Sequence, residues 1–275
     1  MKLSLQIPPT TIQGEYVYGV IQLKNDGSEP ITLRSRLNIL EDLQIIFQTP
    51  DKASKRIESV LINDFQGPEP KIIKPGNIIE GNINLFYHRF GHIYSTYGNY
   101  IFYGQIPYYS DKSGPILAQI PQVSITVNPP IKKEERELAE LTMNDEVGRS
   151  ISLCEAENEE QLKKLLQISK NFPKSNIGIV SNLIIGNTLT YGMPDLKDEF
   201  LIQNTQNGPD EFFKAAFRER PLKTITHLTC SLVPYNESVP MIKHLREHIR
   251  NYTKLSIDDI TQTDTTKILE DHFLH

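Results

Sequence analysis

Residues 74–103 read KPGNIIEGNINLFYHRFGHIYSTYGNYIFY, and their turn and strand signals decide the fold. A Pro-Gly turn at residues 75–76 precedes a strand whose apolar residues alternate around Ile83. After a loop, the Gly-Asn-Tyr triplet that ends at Tyr100 opens a second alternating strand. Alternating strands joined by turns, with no helical pattern between them, are typical of an antiparallel β-sandwich.

Similar signals continue on both sides of this stretch. Residues 64–75 contain three prolines, which predicts a loop. Nine of the twelve tyrosines precede residue 130, as expected if aromatic side chains fit pleated strands in this half of the chain. Strands are predicted near residues 3–7, 17–23, 31–39, 43–48, 56–62, 79–85, 100–103 and 123–127.

Three features in order resemble the immunoglobulin-like domains of the fibronectin type III or bacterial intracellular proteinase inhibitor kind. They are an Asn-bearing turn at residues 25–30, the Pro-Gly turn, and the Gly-x-Tyr that opens the next strand. The resemblance covers residues 1–128 and implies an immunoglobulin-like β-sandwich. It also implies that Tyr100 forms a tyrosine corner, in which the hydroxyl bonds nearby backbone. The chain has no tryptophan and only two cysteines, so it does not match antibody-type domains.

The pattern changes after residue 128. Two prolines predict a semi-rigid linker over residues 129–133. Residues 134–275 then predict an acidic α-helical domain of five or six short helices, making the fold a multidomain β and α arrangement. Helices are expected after caps at Asn158, Ser175, Ser238 and Ser256, after Pro209, and over residues 222–233. The helix that begins after Ser175 is expected to end at Gly186.

Charge and cysteine content narrow the class of protein. Residues 1–130 contain eleven basic and eleven acidic residues, so the net charge of −5 lies in the second half. Without a basic block, nucleic-acid binding is not expected. Residues 175–194 are uncharged but poorly apolar, so membrane insertion is not expected either. The start of the chain lacks the apolar core of a secretory signal, which predicts a cytoplasmic protein. Cys154 and Cys230 are expected to be buried thiols, and whether they lie close together is left open.

One short motif has the spacing of a metal site. His244, Glu247 and His248 read H-x-x-E-H, the inverted zinc-peptidase pattern, but no third ligand motif follows. His227 and Cys230 could complete a structural zinc site with the two histidines. The favoured interpretation is an amphipathic helix with the histidines at the edge of its buried stripe. No cofactor and no catalytic group are therefore predicted.

Two clusters of residues are candidate contact sites. In the predicted sandwich, loops at residues 25–29, 65–69 and 108–111 meet at one end, and their candidate binding residues are Asn25, Asp26, Tyr108, Tyr109 and Asp111. The loop at the opposite end contains Phe90, Tyr94 and Tyr97. These three aromatic residues are expected to pack against the linker or the first helices.

The sequence therefore favours a non-catalytic protein that binds or scaffolds another protein of unknown identity. One alternative is an inhibitor of an intracellular protease that uses the loop at residues 64–75. A second alternative is a zinc-dependent hydrolase built on the H-x-x-E-H motif. The oligomeric state, and whether the helical half folds alone, are not predicted.

Overall fold

The computed structural model describes residues 1–33, 43–58, 70–110, 113–191, 208–218, 220–232, 240–255, 265 and 267–268. In this part the chain is of the α+β class, with its strands first and its helices after them. No helix in these ranges is long and apolar enough to cross a membrane.

The strands form two main sheets and a small hairpin. Their bounds are β1 Lys2–Gln6, β2 Thr10–Ile12, β3 Tyr18–Lys24, β4 Ile31–Leu33, β5 Gln44–Gln48, β6 Ser54–Arg56, β7 Lys71–Ile73, β8 Ile78–Asn84, β9 Tyr87–His88, β10 Gly91–His92, β11 Gly98–Ser110 and β12 Ser113–Asn128. The small sheet has the order β1-β3-β8 and is antiparallel. The hairpin pairs β9 with β10.

The large sheet is built around the long β11–β12 ribbon. It has the order β2-β12-β11-β4-β7, and β5 and β6 extend from β11 beside β4. β4 and β5 therefore share one edge of β11, with β5 opposite residues 101–105 and β4 opposite Tyr109. On the other side, β2 pairs in parallel with only the last three residues of β12.

One apolar cluster receives side chains from both sheets. Alternation sets which residues contribute, because neighbouring residues of a strand point to opposite faces. On β3, Ile21 and Leu23 are buried in this cluster, and on β11 Tyr100 and Phe102 are fully buried in it. The remaining alternate residues of each strand lie on the outer faces of the two sheets.

The predicted hydroxyl contact of Tyr100 is present. Its Oη donates to the carbonyl oxygen of Thr96 over 3.0 Å and accepts from the Thr96 backbone N–H over 3.1 Å. This closes the turn that precedes β11, so a buried phenol keeps its hydroxyl satisfied.

Seven helices follow β12 in the described residues. They are α1 Lys133–Thr142, α2 Asp145–Leu153, α3 Glu159–Asn171, α4 Asn176–Tyr191, α5 Pro209–Arg218, α6 Leu222–Leu232 and α7 Pro240–Leu255. Asn158 caps α3, since its side chain accepts from Gln161 N–H at 3.0 Å, and Ser175 Oγ accepts from Gly178 N–H at 3.0 Å at the start of α4. Pro209 occupies the first position of α5, as predicted.

The structure corrects several element predictions. α4 continues through Gly186 because this glycine lies against the ring of Phe213, so its lack of a side chain serves packing. α2 is an additional helix that begins after its Asn144 cap. β7 occupies residues 71–73 of a segment that was expected to be mostly loop, and β11 runs on to Ser110. The expected caps Ser238 and Ser256 lie outside the described residues.

Candidate binding surface

Two helices pack against the strands of the first half. α6 packs on β8 and β3 of the small sheet, while α2 packs on the hairpin strands β9 and β10. The Tyr16 hydroxyl, fully buried just before β3, lies 2.9 Å from Ser231 Oγ on α6. The Glu15 carboxylate accepts from the N–H of Ile177, at the start of α4, over 2.9 Å. Burial raises the pKa of Glu15, although these backbone hydrogen bonds act in the opposite direction.

A buried polar cluster lies between α6 and the small sheet. His227 Nδ1 is 2.8 Å from Asn82 Oδ1, and its ring stacks on Tyr18 with the centroids 6.0 Å apart. Glu80 Oε1 is 3.7 Å from the same nitrogen. Burial, with a smaller contribution from the charge of Lys223, lowers the pKa of His227 to about 4. A neutral His227 therefore donates its Nδ1–H to Asn82.

The aromatic residues expected to contact the helices lie elsewhere. Tyr94 is buried in the cluster between the two sheets, whereas Phe90 and Tyr97 are 71% and 50% exposed. The contact is made instead by Tyr87 and His92 of the neighbouring hairpin. Tyr87 Oη donates to the Asp145 carboxylate over 3.1 Å, and His92 Nε2 is 3.1 Å from the Asn144 carbonyl oxygen. Tyr94 lies in the turn after the hairpin and packs with Ile93 in the cluster between the sheets, so the aromatic pattern did not indicate the contact residues.

The two histidines of the H-x-x-E-H motif line an open groove of about 390 Å³ between α5 and α7. His244 stacks on Phe213 with ring centroids 4.3 Å apart, and His248 stacks on Phe217 at 5.0 Å. His244 Nε2 also lies 3.4 Å from the carboxylate of Asp210. These contacts place the motif at the edge of an amphipathic helix.

The residues considered for zinc are not brought together. Cys230 is fully buried, and His227 lies against the small sheet. Within the described ranges, no group of three or more His, Cys, Asp or Glu side chains is arranged to hold a metal ion. Cys154 is also a free, buried thiol, and burial raises its pKa to about 12. Neither thiol is therefore activated as a nucleophile.

Among the described residues, the outer face of the large sheet is uncharged over most of its area. We call this surface the open face, because the helices pack on β3, β8, β9 and β10 instead. Its outward side chains are Thr32, Gln44, Ile46, Ile72, Ile101, Tyr103, Gln105, Pro107, Tyr109, Leu117 and Gln119. β2, β4, β5, β11 and β12 contain no charged residue among those described.

Two cross-strand rows organise the open face. A glutamine row runs across three strands, with Gln105 Nε2 donating to Gln44 Oε1 and Gln119 Nε2 donating to Gln105 Oε1, both over 2.9 Å. The second row aligns Tyr109 with Thr32 and Ile72, which is 67% exposed. Leu117, 51% exposed, lies opposite Pro107 between the two rows.

The predicted binding residues have different positions. Tyr109 lies on the open face, whereas Tyr108 packs against the cluster between the sheets. Asn25 is buried and donates to the carbonyl oxygens of Glu29 and Ile73, which makes it a turn residue. Asp26 pairs with the amino terminus. Asp111, like the loop at residues 65–69, lies outside the described residues.

Comparisons with known proteins find only distant structural likenesses. No protein-family profile and no curated protein matches the chain. The ApaA protein from Bordetella pertussis aligns with a TM-score of 0.31 and 12% identity, over 46% of this chain and 94% of its own. Spo0M, a sporulation control protein from Bacillus subtilis, aligns with a TM-score of 0.30 and 14% identity, over 51% of this chain and 53% of its own. A β-glucuronidase from Bacteroides uniformis aligns with a TM-score of 0.26 and 11% identity, over 98% of this chain and 32% of its own.

Proposed function

We propose that the chain is a non-catalytic protein-binding or scaffolding protein, and that it binds its partner through the open face. The observation that carries this proposal is the uncharged surface of the large sheet. Interface centres are depleted of charged residues and enriched in tyrosine, and Tyr103 and Tyr109 lie on this face. A rigid tyrosine supplies large contact area at a small loss of conformational entropy.

The charged residues on the described strands of the large sheet are few. Arg56 on β6 lies opposite the outward Ile46, whereas Lys55 and Lys71 lie opposite the buried Phe47 and Leu33 and so belong to the inner side of the sheet. A partner whose contact surface has an uncharged centre would complement the open face.

The fold forms part of the proposal. We infer an immunoglobulin-like β-sandwich over residues 1–128, followed by an α-helical domain over residues 134–275. The orders β1-β3-β8 and β5-β11-β12 support it, because strands A, B and E share one sheet and strands C, F and G the other in that fold. The free thiols Cys154 and Cys230 fit a cytoplasmic setting.

The test is a quantitative affinity capture from native lysate with matched charge variants. Tyr103→Glu places a carboxylate at the centre of the open face, and Lys163→Glu places one on the exposed helix α3. Proteins retained by the wild type and by Lys163→Glu should be lost with Tyr103→Glu. Equal retention by both variants would contradict the proposal.

The described residues add no observation in favour of the other two functions. The protease-inhibitor alternative depends on the loop at residues 64–75, of which residues 64–69 lie outside the described part. The hydrolase alternative depends on His244, Glu247 and His248, whose contacts are those of a helix packed on aromatic rings.

A further inference from the structure

The long edge of β12 has no hydrogen-bonded strand over most of its length in the described part of the chain, although β1 packs close to β12. β2 pairs only with Thr126, Val127 and Asn128, so residues 114–123 have β11 on one side and no hydrogen-bonded strand on the other. Ile116 and Leu117 are 37% and 51% exposed there. An uncharged strand edge of this length is a template for pairing with another strand.

Two observations fix which residues present backbone groups at this edge. The Thr126 N–H donates to the carbonyl oxygen of Pro9, on the side of β12 away from β11. Thr126 and its partner Asn99 are therefore a pair that exchanges no hydrogen bonds between β12 and β11. Along β11, every second residue from Asn99 likewise makes no hydrogen bond to β12, as far as Pro107. Pro107 has no N–H and lies opposite Leu117. The N–H and C=O groups of Leu117 and Gln119 therefore point to the free edge.

A proline lies on either side of this segment. Pro115 and Pro121 both lie where the register between β11 and β12 shifts, so the regular alternation of β12 ends near each of them. They limit the pairing edge to the five residues 116–120, with two outward N–H donors.

The sequence of this edge is nearly a palindrome. Residues 115–121 read PILAQIP, so reversing the order changes only Leu117 and Gln119. When two such strands pair antiparallel around Ala118, Ile116 lies opposite Ile120 and each proline lies opposite a proline. Leu117 then lies opposite Gln119, and these are the residues with outward backbone groups. Four N–H···O bonds form, and the small Ala118 lies at the two-fold axis, where the strands are closest.

We propose that this edge binds a second copy of the chain, giving a two-fold homodimer with a sheet continuous through residues 116–120. The occupant is a second copy because the palindrome makes the edge complementary to itself, as a two-fold interface requires. No charged residue lies between residues 113 and 128, so no like charges meet at the interface. The dimer would also join the two open faces side by side.

Charge variants at Leu117 and Gln119 test both the dimer and its register. In the double variant Leu117→Glu/Gln119→Glu, each glutamate lies opposite a glutamate of the other copy. In the matched control Leu117→Glu/Gln119→Lys, each glutamate lies opposite a lysine. Both variants change the same exposed positions and lose the same contacts, so they differ only in the charges that meet across the axis.

Sedimentation equilibrium of the full chain gives the readout. The wild type should sediment at twice the monomer mass of 31.5 kDa. The Glu/Glu variant should raise the dimer dissociation constant about tenfold or more relative to the Glu/Lys control, with both folded by circular dichroism. A monomeric wild type at every concentration, or equal dissociation constants for the two variants, would overturn the proposal.

Discussion

The outer faces of the two sheets carry similar kinds of side chain in opposite surroundings. On the small sheet, Asn82 and Tyr18 are covered by α6 and contact His227. On the large sheet, Gln105 and Tyr103 lie on a face against which none of the described helices packs. Polar groups that are buried must be paired, whereas exposed ones can exchange with water. The first face therefore stabilises the fold, and we propose the second as the binding surface.

The largest effect is expected at the covered face, with Tyr16→Ala. This side chain is fully buried and its hydroxyl bonds Ser231, so its removal should lower the free energy of unfolding by about 3–5 kcal/mol. Tyr97→Ala, at a half-exposed tyrosine, should change it by less than about 0.5 kcal/mol. Urea denaturation measures both. A loss below about 1 kcal/mol for Tyr16→Ala would mean that the helices do not depend on this contact.

The next largest effect on stability is expected for Asn82→Ala. It leaves the buried Nδ1–H of His227 without its acceptor, and about 1–3 kcal/mol of stability should be lost. The neighbouring Glu80 Oε1 has no hydrogen-bond partner among the described residues, and at 3.7 Å it can accept only after a shift. Double-mutant denaturation with His227→Ala should show coupling between the two sites. Additive losses would mean that the pair is not energetically linked.

Acidification should destabilise the covered face through His227. Its pKa in the folded protein is about 4, below the ordinary 6.5, so between these values the unfolded chain binds more protons. The contribution of His227 to the free energy of unfolding is fully present above pH 6.5 and decreases as the pH drops toward 4. The loss between pH 7 and pH 5 should be about 2 kcal/mol. His227→Gln should flatten the pH dependence measured by urea denaturation, and an unchanged slope would assign the effect to other groups.

The smallest effect is expected on the open face. Gln105→Ala removes both hydrogen bonds of the glutamine row, but its groups return to water, so stability should change by less than about 0.5 kcal/mol. Thermal denaturation of Gln105→Ala and Asn82→Ala side by side compares how much each face contributes to stability. A loss as large as that of Asn82→Ala would show that the row is covered in solution.

Local signals in the sequence predicted local structure well. Asn158, Ser175 and Pro209 mark helix starts because capping depends on the residues next to them. Tyr100 likewise bonds backbone only four residues away. α1 begins at Lys133, the last residue of the linker predicted over residues 129–133.

Tertiary contacts could not be predicted in the same way. Gly186 resembles a helix end until Phe213, 27 positions later in the chain, is placed against it. Phe90 and Tyr97 have the composition of a contact surface, but which aromatic residues meet the helices depends on how the β9–β10 hairpin folds. The open face is visible in the sequence only as the missing charges of β11 and β12, once their outward residues are known.

The most direct test of the central claim is site-specific photocrosslinking in native lysate. A photoreactive phenylalanine analogue replaces Tyr103 on the open face or, as a control, Lys163 on the exposed surface of α3. The account predicts a discrete crosslinked product with another protein from position 103 and none from position 163. A product from position 163 alone, or from neither position, would contradict the assignment of the open face as the binding surface.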